Sequence, residues 1–358
     1  MPNGRSATCR GAFVNIAHLL PAGAVFPLRK HNGRYEWVLR LARQQVADGH
    51  TVTIYAGEGS SDDSPIIWRS IEKLSDKLAT NNALIQQALR EKSHDVFHSH
   101  FDFLHYRHGD LTDAPIIVTQ HWFPTESFAR EVVNNHTHNV VAVPVTQLMK
   151  RTNHELGIPS ANVIYHGIDL SLFRPGNDAS TTNQRLLFVG RIHPGKGVDR
   201  AIQYAIKAGI GLDIVGKVNE TEQEYWQGLQ SAIDGQAIRY LGPKSQSEVA
   251  VMCQQAKALI FPNRHEEAFG QVIVEAQACG APVIASATGA TSELIRDGET
   301  GFLCKTDDDF VRSIAQLDHI DRYACRLHAR KFDFQAMTNA YNALYLNAIK
   351  SIDSVLAQ

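Results

Sequence analysis

The sequence predicts an α/β protein built from two doubly wound domains, and three observations carry that prediction. The chain has 358 residues, more than the roughly 250–300 at which a single hydrophobic core usually stops growing. Short apolar runs alternate with segments whose apolar residues recur at helical spacing, the pattern of parallel strands covered by helices. Residues 173–184 then lose all periodicity and collect turn formers, and the alternation starts again beyond them, as expected of a linker between domains.

Taken in order, the first strand is expected at residues 12–17. Tyr35, Val38, Leu39, Ala42 and Val46 fall on one helix face, Gly49 follows as a C-terminal cap, and 51–56 supply the next strand, which completes a βαβ unit. Residues 59–66 read as a polar loop. Further strands are expected at 95–98, 115–119, 140–145 and 162–165, with helices at 78–92 and 147–156, the second closed by Gly157. Past the linker, 185–190 reads as a buried strand. Val198, Ala201, Ile202, Ala205 and Ile206 make a helix face ended by Gly209, and 212–215 is another strand. Strands at 256–261 and 282–285 flank a helix that carries Glu275. From residue 332 onward the pattern is helical, with Ala336, Ala340, Leu344 and Ala348 on one side. The expected organisation is a first Rossmann-like domain at 1–175, a second at 185–330, and a helical tail at 331–358 that packs on the second or crosses back to the first. Two such domains facing each other enclose a cleft at the carboxyl ends of their strands, where folds of this kind bind ligands.

Composition narrows the function. Hydrophobic residues make up 44% and charged residues 20% of the chain, and the net charge is −2. That balance is ordinary for a globular enzyme and points to no nucleic-acid partner. The five cysteines (Cys9, Cys253, Cys279, Cys304 and Cys325) have no Cys-x-x-Cys spacing, which suits reduced thiols in the cytoplasm better than disulfides or a zinc site. No apolar run approaches the ~20 residues needed to span a bilayer. Arg5 and Arg10 ahead of residues 11–24 loosely imitate a secretion signal, but Asn15, His18 and Pro21 interrupt its apolar core.

Two segments carry chemistry. In Phe261-Pro-Asn-Arg-His-Glu-Glu-Ala-Phe-Gly270 a strand runs into a polar loop, and a helix begins near Phe269 or Gly270 and ends at Gly280. The exposed amides of such a helix start can seat an anion, and Gly270 lets the backbone come close to it. Glu267 precedes that helix and Glu275 lies on it. Alone, the pair would read as a helix-start acid and a solvated helix residue. The second segment, Gly190-Arg-Ile-His-Pro-Gly-Lys-Gly197, lies between a buried strand and an amphipathic helix. It puts Arg191 and Lys196 on a glycine turn, where two cations can stabilise a diphosphate as charge builds on it. It matches neither a Walker loop nor a dinucleotide fingerprint.

Residues 185–197, 256–286 and 289–303 resemble the C-terminal domain of family-four retaining glycosyltransferases, whose fold is GT-B, with a Glu-x7-Glu motif at Glu267 and Glu275. Weaker similarity covers residues 36–56, 96–101, 117–121 and 165–175. The resemblance implies that Arg191 and Lys196 grip the donor phosphates, that Glu267 binds donor-sugar hydroxyls, and that Glu275 holds the ribose. It further implies that the amides around Phe269, Gly270 and Gln271 support the donor and that His121 contacts the donor sugar at the reacting centre. The family's paired glycines ahead of the first helix correspond here to Asn32-Gly33, where Asn is expected to tolerate the unusual backbone angles of the turn.

The function so implied is retaining transfer of a hexose-type sugar from a UDP- or GDP-sugar to a hydroxyl acceptor such as a glycan, a glycolipid or a small metabolite. It uses the nucleotide sugar as co-substrate, with no cofactor and no metal. The alternatives are a sugar-nucleotide epimerase or phosphorylase of the same fold, and a non-catalytic sugar-nucleotide-binding protein. Among 17 histidines, His94, His98, His100, His105, His108 and His121 cluster in sequence. His98 and His100 on one strand face form a possible metal pair without a third ligand, and acceptor-lining or structural roles are favoured. Arg29, Lys30 and Arg34 could meet an anionic acceptor or a lipid phosphate at the inner face of the membrane, or form a solvated basic turn.

Overall fold

The structure is a computed structural model that describes residues 13–28, 32–74, 76–101, 103–135, 137–176 and 182–356. Cys9, Arg5, Arg10, Arg29, Lys30, the start of the expected first strand and residues 177–181 of the expected linker lie outside the described residues. The chain divides into two compact units: residues 1–145, 149–164 and 338–358 form the first, and 146–148 with 165–337 form the second.

In the first unit the order is β1 (Asn15–Leu19), α1 (Gly33–Ala47), β2 (Thr51–Tyr55), β3 (Ile67–Arg69), α2 (Lys77–Arg90), β4 (Val96–Ser99), β5 (Ile116–Thr119), α3 (Glu126–Asn135), β6 (Val140–Val143) and α4 (Gln147–Glu155). The strands form a parallel sheet in the order β3-β2-β1-β4-β5-β6. β1 and β4 to β6 are buried along nearly their whole length, which is why they read as apolar runs. A core including Leu19, Leu84, Phe97, Ile116 and Val132 lies against this sheet.

The second unit repeats the plan with β7 (Arg185–Val189), α5 (Val198–Ala208), β8 (Gly211–Val215), α6 (Gln223–Leu229), β9 (Ile238–Tyr240), α7 (Gln246–Gln255), β10 (Ala258–Phe261), α8 (Gln271–Ala278), β11 (Val283–Ser286), α9 (Thr291–Leu294), β12 (Gly301–Cys304), α10 (Asp307–Ala315) and α11 (Arg322–Ala329). Its parallel sheet runs β12-β11-β10-β7-β8-β9, the same winding as the first. In each unit the order reverses between the first and fourth strands, β1/β4 and β7/β10, and such a switch point is where doubly wound sheets bind ligands. A last helix, α12 (Phe334–Leu356), begins in the second unit and continues into the first. Among the described residues, no helix is long and apolar enough to cross a membrane.

Several expectations shift. The first strand starts at Asn15, whose amide is held by the Asp95 carboxylate at 2.7 Å. Residues 162–165 form no strand: the chain beside β6 makes one bridge, Ala142 to Ser160, and Pro144 has no amide to continue the ladder. In α1 the buried face is Trp37, Val38, Leu41, Ala42 and Gln45, so a polar side chain sits where periodicity places only apolar ones. In α5, Ile206 is exposed. In α12 the buried side carries Met337, Thr338, Tyr341 and Tyr345, whereas Ala336 and Ala340 are exposed. Both tyrosines carry hydroxyls, and the first unit supplies partners for them: Thr119 for Tyr341 and His98 for Tyr345.

Candidate active site

In the second unit, the loops that leave β7 and β10 stand on either side of the switch point. The β10 loop ends at Gly270, whose φ of +89° is open to glycine at little cost. No side chain caps α8, so its first amides carry the positive end of the helix without a side-chain acceptor. The β7 loop passes through a single 3-10 turn, Pro194–Lys196, capped by the His193 side chain, which accepts from the Gly195 amide at 2.9 Å. Gly197 closes that turn at φ +71°, and a Cβ there would stand 2.2 Å from the Pro262 carbonyl oxygen. The two loops are tied together by the Arg264 amide, which donates to the Gly195 carbonyl at 2.9 Å. They are also tied by the Arg264 guanidinium, which donates to the Pro194 carbonyl at 2.7 Å and pairs with Asp199.

This framework brings Lys196 against Glu267. The Lys196 ammonium donates to Glu267 Oε2, which also accepts from Asn263 Nδ2 at 2.9 Å, and the ammonium lies over the Phe261 ring at 5.7 Å. Asn263 is buried, and among the described residues its Oδ1 has no hydrogen-bond partner. Asn263 is not among the residues that the sequence places at the site. Its one signal was its place in the polar loop four residues before Glu267. Arg191, separated from β7 by Gly190, is exposed to solvent. Glu275 and Gln271 are half-buried on α8. The Phe269 ring is buried edge-on against His166 and Phe332, with centroids 5.2 and 5.9 Å away.

In the first unit, Gly33 is the first residue of α1. Asn32 does not adopt left-handed angles: it is extended at φ −144° and caps the helix, its Oδ1 accepting from the Tyr35 amide at 3.3 Å. The expected special turn is thus replaced by an ordinary side-chain cap, a role in which Asn is strongly favoured. His121 follows β5 and lines a pocket of ≈ 200 Å³ with Phe101, Phe103, Trp122, Phe123 and Phe128. The Trp37 ring lies edge-on to His121 with centroids 5.7 Å apart.

Behind His121 the histidine pair acquires a third member. Parallel register sets His18 beside His98, and His18, His98 and His100 bring ring nitrogens within 4.8 Å of one another. That is the third potential ligand that sequence spacing did not reveal. Each ring nitrogen of the three is nevertheless engaged. His18 meets Gln45 at 2.7 Å and His100 at 3.1 Å. His98 meets Tyr345 at 2.6 Å and Thr119 at 2.7 Å, and His100 meets His121 at 3.2 Å. Burial pushes His18 down to about 4 and holds His98 and His100 well below the usual imidazole range, so all three are neutral. His94 and His108 are bonded to Tyr55 and Asn82, and His105 meets Ser99 through Nδ1 while its buried Nε2 has no partner among the described residues.

With this geometry in place, the chain can be compared with known proteins. Residues 36–172 match the model of Glycosyltransferase Family 4, and residues 172–331 match that of Glycosyl transferases group 1. The chain belongs to the family-4 type of glycosyltransferases. This family-4 chain is 31% identical over 211 residues to the D-inositol 3-phosphate glycosyltransferase of Mycolicibacterium paratuberculosis, a match covering 53% of this chain and 48% of that one. The enzyme of the same name from Mycobacterium bovis is also 31% identical, over 52% of this chain and 44% of that one. The chain therefore spans about half the length of the curated relatives it matches. Among solved structures, sucrose-phosphate synthase from Thermosynechococcus elongatus superposes with a TM-score of 0.80 at 19% identity, covering 94% of this chain and all of the other. Anabaena HepE in complex with UDP and glucose gives 0.76 at 17%, covering 93% of this chain and all of the other. At such identities the likeness establishes the GT-B fold.

Proposed function

We propose that the chain moves a hexose-type sugar from a UDP- or GDP-sugar to a hydroxyl of a glycan, glycolipid or small metabolite, with retention at the anomeric carbon. The observation that carries this reading is the Lys196–Glu267 contact, made across the switch point by the loops after β7 and β10 and set beside the uncapped start of α8. One loop supplies a cation for a departing diphosphate, and the other supplies a carboxylate for sugar hydroxyls. The HepE complexes, which hold UDP, UDP with glucose, and UDP-glucose, favour UDP as the nucleotide.

In this reading the bond between the anomeric carbon and the phosphate oxygen loosens, and Arg191 and Lys196 take the negative charge that collects on the leaving diphosphate. Glu267 holds the sugar, Glu275 holds the ribose, and the amides of Phe269, Gly270 and Gln271 face the diphosphate. The acceptor hydroxyl bonds to the anomeric carbon from the side the phosphate leaves, and its proton passes to a phosphate oxygen. The two basic side chains do the work that a metal would otherwise do, so none is required. Gly33 and His121 are the first unit's contributions, with His121 meeting the donor sugar. The reaction belongs in the cytoplasm, consistent with free thiols at Cys253, Cys279, Cys304 and Cys325. Contact with the inner face of the membrane would run through Arg29, Lys30 and Arg34.

Thermal stabilisation by a panel of nucleotides and nucleotide sugars tests the reading. A ligand of the folded state at a hundred times its Kd adds about 2.7 kcal/mol, so UDP, GDP or their hexose conjugates should raise Tm by several degrees. A flat response to the whole panel would remove the donor site.

A further inference from the structure

The hydrogen bonds beneath His121 have a direction, and an exposed carboxylate sets it. The Asp48 carboxylate can only accept, so Asn342 must turn its amide nitrogen toward it, at 3.2 Å. The Asn342 oxygen then faces Gln45 and accepts from its Nε2 at 3.4 Å, which leaves Gln45 Oε1 to face His18 at 2.7 Å. The rings of His18, His98 and His100 are buried and neutral, and a neutral imidazole has one donor nitrogen and one acceptor. His18 therefore donates from Nε2 to Gln45 and accepts at Nδ1 from His100 Nε2, at 3.1 Å. His100 in turn accepts at Nδ1 from His121 Nε2, at 3.2 Å.

A side branch agrees. Gln45 Nε2 also donates to the Tyr345 hydroxyl at 3.2 Å, so that hydroxyl donates to His98 Nδ1 at 2.6 Å, and His98 Nε2 donates to Thr119 at 2.7 Å. No step in either branch sets two donors or two acceptors face to face. All of these residues belong to the first unit.

We propose that Asp48, Asn342, Gln45, His18 and His100 form a one-way hydrogen-bond relay that fixes a proton on His121 Nε2 and so holds the His121 ring in one orientation. The five are positioning residues acting through His121. The consequence is a His121 ring held still where it meets the sugar, because turning it would break the Nε2 bond to His100. This use of the relay rests on the reading in which His121 meets the sugar. The relay itself does not.

The test is nitrogen NMR of the full chain carrying 15N-labelled histidine, at neutral pH, with the His121 signals identified by their loss in His121→Asn. The relay predicts Nε2-bound protons on His18, His100 and His121. It also predicts couplings across the hydrogen bonds from His121 Nε2 to His100 Nδ1 and from His100 Nε2 to His18 Nδ1. A proton on Nδ1 of His18 or His100 overturns it. Asp48→Ala, a change at an exposed residue, should add a second set of buried-ring signals with protons on Nδ1, and a single unchanged set would overturn Asp48 as the origin of the direction. If the relay stands while His121→Ala still transfers sugar at the wild-type rate, the role of His121 falls and the relay does not.

Discussion

Lys196 and Glu267 are 71 residues apart in the chain and keep 24% and 22% of their side chains exposed. A pair that open to water adds only about 0–1 kcal/mol to stability, so its removal should be felt in chemistry and not in folding. Lys196→Ala is expected to lower sugar transfer on the order of 100-fold, the usual effect of deleting one stabiliser of developing negative charge, while Tm moves by no more than a few degrees. Collapse of Tm with transfer per folded molecule preserved would make the pair structural. The buried histidines give a second residue-level prediction. Their folded-state values lie below the unfolded value, so the unfolded chain takes up protons first and stability falls as pH drops. For His18 the window runs from about 6.5, its ordinary value, down to about 4. Thermal melts should therefore show Tm decreasing from pH 7 to pH 5, and a flat profile there would contradict neutral burial of these rings.

At the scale of elements, the glycine turn between β7 and α5 holds the site together. Gly197→Ala would drive a Cβ against the Pro262 carbonyl in addition to forcing positive φ, whereas at Gly209, φ +63°, nothing lies within 4 Å. Gly209→Ala should cost about 1 kcal/mol, the ordinary penalty for a left-handed alanine. Gly197→Ala should cost clearly more and weaken nucleotide binding as well, measured by denaturant melts and titration of the two proteins side by side. Equal costs would show that the loops yield without consequence. The central strands were legible because parallel strands covered on both faces are apolar throughout. The edge strands β3 and β9, only Ile-Trp-Arg and Ile-Arg-Tyr, are short and partly exposed, and nothing in their composition separates them from loops. Glu267, Lys196 and the start of α8 could be read from turn chemistry and charge. His18 and Gln45 could not, because their partners are brought in by parallel register and helix packing, which leave no trace in local sequence, and Asn263 left only its place in the polar loop four residues before Glu267.

For the whole molecule, two sheets with the same winding each place polar groups at the switch between first and fourth strands. The first unit sets His18 and His98 there, and the second sets the loops bearing Lys196 and Glu267. The central claim is that the second unit carries out donor chemistry. The most direct measurement is release of nucleoside diphosphate from UDP- and GDP-hexoses, with and without hydroxyl acceptors, by the wild-type chain and by Arg191→Ala. The account predicts release by the wild type with at least one donor, and a loss on the order of 100-fold in the variant at unchanged fold. Equal release by the two proteins would contradict it.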